Sequence, residues 1–495
     1  MKRIIAGVLL LLILVSSFVL TSCGEGGGGS GSGDESSLNS ITNSNENPGE
    51  TTAEEGDVPE INATDYKGAE FTILYPMWSL YNNYYFAEEA NGDAMNDAIF
   101  ERTSKIEEIL NIKIKTYMPG NITTIKPEIT KVVMAGLDTY DFMLTHCISD
   151  LVSFVGDGVI VNWNSIPAVN MTKSYWNQTL KKSHELNGVL GYAVNDFILP
   201  DVNSIFFNKS LVEGLNLESP YQVVTSGRWT WDKLIEMAKS GARDLNGDGV
   251  FDDQDQYGFV GELGWQFTDV PTSCGVNVVE INDENTPVLT INSPKTVNIL
   301  QTVYSMLKSK DIAYTWIYDI KYDPNVDGIP PIDFNAGKAL YYLVPLSLAK
   351  KFRTMDVEFG IVPMPKYDEA QKDYISLNWS GYMTVPATAK DFELTGKVAE
   401  LLGYYNGKIV HPAFYDILLG QKISRDTESL EMLDIIFKNT IYDLGVTLDL
   451  AIVVDVLKKD GNFASAYASK EPAFEKAINN YIKACDDYAA ANGGK

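Results

Sequence analysis

Between positions 244 and 255 the chain reads Asp244-Leu245-Asn246-Gly247-Asp248-Gly249-Val250-Phe251-Asp252-Asp253-Gln254-Asp255. Oxygen-bearing residues recur at alternate positions around a glycine that can make a sharp turn, the spacing of an EF-hand calcium loop. A hard cation such as Ca²⁺ takes several oxygens. Asp244, Asn246, Asp248 and Asp255 would ligate through side chains, Val250 through its carbonyl, and Asp252 directly or through water. Asp stands where such loops carry a bidentate Glu, which would weaken the site. The competing reading is a solvated acidic loop. Carboxylates this dense repel one another unless a cation sits among them, so a structural calcium is the expectation.

The second chemical lead is aromatic. The chain holds eight tryptophans and 27 tyrosines. Sugar C–H faces stack on such rings, and sugar hydroxyls need paired donors and acceptors. Trp78, Trp265 and Trp379 fall near predicted loops or crossing strands rather than on apolar helix stripes. Asp141, Asn195 and Asp196 could take hydroxyls. For any one tryptophan, packing in a core is the stronger competitor, and Trp229 and Trp231 read as packing at a helix start. Catalytic patterns are poor. His146, His184 and His411 lack metal partners at a useful spacing, and no G-x-S-x-G, Walker loop or dinucleotide fingerprint occurs.

These residues need a frame. Phe71–Tyr75 reads as a strand, and a helix over 97–110 follows with Ile99, Ile106, Ile109 and Leu110 at helical spacing. Then come a strand at 112–117, a helix over 123–135 ending at Gly136, and a buried strand at 140–144. Strand–helix alternation of this kind implies an open parallel α/β sheet. Ligands of such sheets sit beyond the carboxyl ends of the strands, which picks out the loops at Met77-Trp78 and Thr145-His146. Further along, 187–194 and 204–209 read as extended. Thr230 reads as the N-cap of a helix buried through Leu234, Ile235 and Ala238. Ser293-Pro294 starts another helix, and Pro472 reads as the start of a last one, striped by Phe474, Ala477, Ile478, Tyr481, Ile482 and Cys485.

The ends set the compartment. Met1-Lys2-Arg3 precedes an apolar run to Leu20, the layout of a secretory signal. Leu20-Thr21-Ser22-Cys23 then resembles a bacterial lipobox, which implies a signal over 1–22 and a diacylglycerol on Cys23, a membrane anchor at the extracellular face. A spanning helix is the alternative, but basic or aromatic anchors do not follow; a glycine tract does. Residues 24–64 contain no lysine or arginine and are too polar to pay for ordering; as a random coil of about 40 residues they would reach roughly 35 Å. The rest is too long for one core, and 45% hydrophobic and 11% aromatic residues suit a packed globule rather than disorder. A net charge of −27 argues against nucleic acid and against a strongly anionic ligand. Cys147, Cys274 and Cys485 are widely spaced and read as buried thiols, one exported pair remaining open.

Four stretches in order carry a family resemblance: Ala135-Gly136 with Tyr140-Asp141-Phe142, Ser204–Lys209, Trp229–Leu234 with its acidic loop, and Asn378–Pro386. Behind a lipobox, they resemble the extracellular solute-binding proteins of bacterial ABC importers, the sugar-type family 1. The resemblance implies an α/β, two-lobed periplasmic-binding-protein-like fold of class II type, each lobe a mostly parallel sheet flanked by helices. Lobe one is expected over 65–203 with 386–425, and lobe two over 204–385 with 426–495. The chain would cross at Ser204–Asn208 and return at Trp379–Val385. It further implies a monomeric, non-catalytic receptor that closes on a sugar, most simply an oligosaccharide, and presents it to membrane permease subunits. Other readings are a receptor for a peptide or other polar solute, a surface glycoside hydrolase with two carboxylates about 5–10 Å apart, and an adhesive surface protein.

Overall fold

A computed structural model describes residues 57–62, 64–76, 84–148, 151–262, 264–316, 334–352, 357–423, 427–450, 452–458 and 461–492. The region Pro48–Lys495 packs as a single unit, built on two sheets. Their strands are β1 (Ala69–Leu74), β2 (Ile112–Tyr117), β3 (Phe142–His146), β4 (Asn203–Asn208), β5 (Tyr257–Glu262), β6 (Ala313–Trp316), β7 (Ala339–Pro345), β8 (Phe359–Val362) and β9 (Gly381–Thr384).

The first sheet runs β9-β3-β1-β2. β1 is parallel to β2 from Ala69↔Ile112 to Leu74↔Tyr117, and parallel to β3 through Ile73↔Phe142. β2 is an edge strand, and its alternation shows it: Ile112 and Ile114 are buried while Lys113 and Lys115 face out, charges that discourage edge pairing. Helix α1 (Ala94–Leu110) leads into it. Asp93 caps its start by accepting from the Asn96 N–H, and Asn111 ends it in the left-handed region at φ 47°. Helix α2 (Ile122–Met134) follows β2. The central β3 is buried along its whole length, so its sequence shows no inward–outward alternation, and even its last two residues, Thr145 and His146, are buried.

The second sheet runs β8-β4-β7-β5-β6. β5 is parallel to β6 and β7, whereas β4 is antiparallel to β7 and β8. Each sheet is therefore mixed, and the antiparallel members β4 and β9 are the strands that follow a passage between sheets. Helix α3 (Trp231–Gly241) is capped by Thr230, as its sequence indicates, and seats fully buried Trp231, Leu234 and Ala238 on β5. That seat is so close that a Cβ on Gly258 would lie 1.8 Å from the Ala238 carbonyl oxygen; only glycine fits.

Two expectations on limits are corrected. β9 pairs antiparallel with β3 from Gly381↔His146 to Thr384↔Met143, so 381–385 does not belong with the second sheet, and the return passage ends before Gly381. The C-terminal helices also do not divide as 386–425 and 426–495. Helix α4 (Phe392–Tyr405) packs on α1, α5 (His411–Ile423) touches both α1 and the helix Ala349–Phe352, and α6 (Thr427–Lys438) packs on β8. The last helix, α7 (Phe463–Ala491), lies against Leu151–Gly156 on one side and Pro294–Lys308 on the other. It starts at the Asn462 cap, with Pro472 inside it rather than at its head. The buried stripe Phe474, Ile478, Tyr481 and Cys485 continues N-terminally through Phe463, Ala466 and Tyr467, and this packing outweighs the hydrogen bond that the proline cannot donate. Cys147, Cys274 and Cys485 are buried free thiols. No described helix is long and apolar enough to cross a membrane.

Candidate ligand-binding site

Three segments pass between the sheets, and they lie side by side. Val202 forms an antiparallel bridge with Asn378, and Ser376-Leu377 pairs in parallel with Thr440-Ile441. The carboxyl ends of β3 and β5 converge on this junction. β3 ends in His146, and Cys147 follows it. Beyond β5 come the 3₁₀ turn Trp265–Thr268 and the short helix Asp269–Ser273.

Trp379 joins the two ends. Its Nε1–H donates to Asp269 Oδ1 at 2.7 Å, its backbone N–H donates to the Asp201 carbonyl at 2.8 Å, and its carbonyl accepts from Cys147 Sγ at 3.5 Å. Asn203 Nδ2 donates to the other Asp269 oxygen at 2.9 Å. Asp269 is buried, and burial pushes its pKa up to about 8; the Trp379 and Asn203 donors oppose that shift, and the nearby Asp201 adds to it. Each carboxyl oxygen still keeps a lone pair beyond the bond it accepts. A half-buried indole beside a buried carboxyl and an amide can stack on an apolar face and pair with hydroxyls.

The sequence-chosen residues scatter around this junction. Trp379 and His146 belong to it. His146 is buried, and its Nδ1 accepts from the Ile148 N–H at 3.2 Å; desolvation lowers its pKa well below the usual value. Trp78 lies outside the described residues. Trp265 begins the 3₁₀ turn beyond β5, its side chain outside the described set. Asp141 stands at the amino end of β3, away from the carboxyl ends. Its Oδ2 accepts from the Thr72 N–H at 2.7 Å, so it staples β1 to β3. Asn195 is buried and structural, donating to the Ala399 carbonyl at 2.8 Å and accepting from the Phe197 N–H at 3.0 Å. Asp196 lines a separate cavity. Of the remaining histidines, His184 is buried between Ser183 and Thr447. Trp229 and Trp231 are fully buried packing residues, as expected. Sequence reasoning missed Asp201, Asn203 and Asp269. The rule that found His146, looking past the carboxyl end of a strand, finds Asp269 when applied to β5.

The acidic loop is closed by the pair Arg243↔Gln256, with Gly247 and Gly249 at φ 74° and 79°. Asp244 accepts from the Gly247 and Gly249 N–H groups, and Asp255, fully buried, from those of Leu245 and Asp252. These backbone donors lower the Asp255 pKa. Among the described residues no group of three or more His, Cys, Asp or Glu stands ready-gathered for a metal. Each carboxylate oxygen nevertheless retains a second lone pair, and Asn246, Asp248 and Asp252 remain within the same loop, so the donor set suits a hard cation.

No family model and no curated protein matches the chain. Solved structures do. UgpB from Mycobacterium tuberculosis, in complex with glycerophosphocholine, is 14% identical with a TM-score of 0.54, covering 84% of this chain and 99% of that one. An ABC substrate-binding protein from Listeria monocytogenes, in complex with cycloalternan, is 15% identical at 0.51, covering 86% and 100%. The maltose-binding periplasmic protein MalE from the same organism, in complex with maltose, is 16% identical at 0.51, covering 86% and 98%. At these identities the likeness establishes the fold. The chain has the two-lobed architecture of the periplasmic binding proteins.

The Asp269 pKa of about 8 against an ordinary 3.8 fixes a sign. The folded state holds a proton that the unfolded state has released, so stability falls as pH rises from about 4 toward 8. Urea unfolding at pH 5 and pH 8 should show wild type losing on the order of 3 kcal/mol more than Asp269→Asn across that interval. Equal pH slopes in the two proteins would place the Asp269 charge in contact with water.

Proposed function

We propose that this chain is the solute-binding component of a bacterial ABC importer. It captures a carbohydrate, an oligosaccharide by preference, between its two lobes and presents it to membrane permease subunits, without turnover. The observation that carries the reading is the junction itself: the carboxyl ends of β3 and β5 meet at Trp379, Asp269 and Asn203 beside three adjacent passages of chain. Support comes from the fold, shared with proteins solved around maltose and cycloalternan. The neighbour solved with glycerophosphocholine favours a second reading, a non-sugar polar solute in the same place. Closure would follow from contacts that the ligand makes to both lobes at once.

Titration of residues 48–495 with malto-oligosaccharides, cyclic glucans and glycerophosphocholine tests this. The true ligand, at a hundred times its dissociation constant, adds about 2.7 kcal/mol of stability and contracts the protein in small-angle scattering. Trp379→Ala should weaken that ligand about tenfold or more. Stability unmoved by every solute, or sugar released as new reducing ends, would remove the receptor reading.

The loop 244–255 would hold a structural Ca²⁺ through Asp244, Asn246, Asp248, the Val250 carbonyl, Asp252 and Asp255. A chelator should lower the melting temperature, added calcium should restore it, and Asp244→Ala should abolish the response. A melt indifferent to chelator means an ordinary acidic turn.

Cys23 would carry the diacylglycerol that tethers the protein to the outer face of the membrane. In a bacterial host, Cys23→Ser should shift the protein from the membrane fraction to the medium. Retention in the membrane would point to an uncleaved helix.

A further inference from the structure

A cavity of about 320 Å³ adjoins the three passages without sharing a residue with the Asp269–Trp379 junction. Its walls come from the stretch before β4, from α5 and α6, and from Thr440 and Tyr442. Trp176, Phe414, Tyr415 and Phe437 supply aromatic faces, and Asp196 supplies the carboxylate.

The backbone of Asp196 is tightly held. Its N–H donates to the Tyr175 carbonyl at 2.9 Å, and its own carbonyl accepts from Asn406 Nδ2 at 2.7 Å and from His411 Nε2 at 2.9 Å. The latter bond fixes the proton on Nε2, since a carbonyl can only accept. A π-helical turn, Asn406–Val410, brings Asn406 to this position, where its Oδ1 also accepts from the buried Arg102 at 2.9 Å. Gly407 then lets the carboxylate close in: a Cβ there would lie 2.6 Å from Asp196 Oδ2.

The side chain is treated differently from the backbone. Among the described residues none donates a hydrogen bond to the Asp196 carboxylate. Desolvation pushes its pKa up to about 6, with nearby His411 opposing the shift and Asp57 adding to it, so the half-buried carboxylate is mostly ionised at neutral pH and takes its donors from water or from a ligand. Among the described residues no lysine or arginine lines the cavity. Asp57, bonded to Ser174 at the rim, adds negative potential, and so does Asp434 behind Tyr415. An anion is disfavoured here. A donor-bearing cation satisfies the carboxylate and gains from the aromatic faces as well.

We propose that this cavity is a second ligand site, separate from the interlobe junction, that takes the ammonium head of a small primary amine on Asp196 with its alkyl part against the aromatic walls. The ammonium donates to the carboxylate oxygens, and the rings cover its methylenes.

Calorimetry of the purified chain with n-butylammonium chloride, n-butanol, methyl glucoside and salt-matched buffer tests the assignment. The expected result is saturable binding of butylammonium alone. Asp196→Asn should weaken it about ten- to a hundredfold, the worth of a hydrogen bond to a charged group. Gly407→Ala, which displaces the carboxylate while keeping its charge, should weaken it in the same direction. Trp379→Ala should leave it unchanged, which separates this site from the proposed sugar site. Butanol or the glucoside binding as well as the amine, no amine binding at all, or undiminished amine binding by Asp196→Asn would each overturn the proposal. The selectivity of the wild-type chain decides the matter even where a variant fails to fold.

Discussion

One buried side-chain amide holds the three passages together. Asn378 Oδ1 accepts from the Asp201 N–H at 2.9 Å and the Ser380 N–H at 3.1 Å. Its Nδ2 donates to Ser380 Oγ at 2.8 Å and to Tyr442 OH at 2.6 Å, and its backbone N–H donates to the Ile441 carbonyl at 3.0 Å. Both oxygen lone pairs and both amide hydrogens are used. A polar group in a core is costly when partly satisfied and specifying when fully satisfied. Here the specification is the relative register of residues 201, 378 and 442. Trp379 follows Asn378 directly, so the same register delivers its indole to Asp269.

The arrangement explains why the functional residues were only partly legible. Period-two and period-3.6 patterns located β2, α1 and α3, because each presents one face to a core and one to water. Caps at Thr230 and Ser293 marked helix starts for a local reason, a side-chain oxygen accepting an N–H three residues on. The junction has no such signature. Asp269 is defined by partners 66 and 110 positions away in sequence, and no window of residues carries that pairing. Asp141 shows the reverse failure. It looks like a cleft carboxylate beside a strand, but standing at the amino end of β3 it can only serve the sheet.

Pro472 and β9 depart from their sequence expectation for related reasons. A proline signals a helix start when the only competitor is solvent. In α7 the competitor is packing on two sides, against Leu151–Gly156 and Pro294–Lys308, and the helix runs through. β9 is short and follows a crossing segment, so its sequence does not say which sheet recruits it. The decision is made by β3, whose outer edge would otherwise expose unpaired N–H and C=O groups along a fully buried strand.

The same register links the two polar sites. Tyr442 lines the Asp196 cavity and accepts from Asn378; Asn378 accepts from Asp201; and Asp201 accepts from Trp379, which donates to Asp269. A continuous path of hydrogen bonds is not in itself coupling, because coupling needs an element with two arrangements that each site prefers differently. The passages between lobes are such an element if the lobes swing, since α5 and α6 reach the cavity while packing against both halves of the chain. An occupant that keeps the same contacts in the open and closed forms would leave the equilibrium untouched. One that loses contact with Phe414 or Tyr442 as the lobes move would bias it by that difference alone.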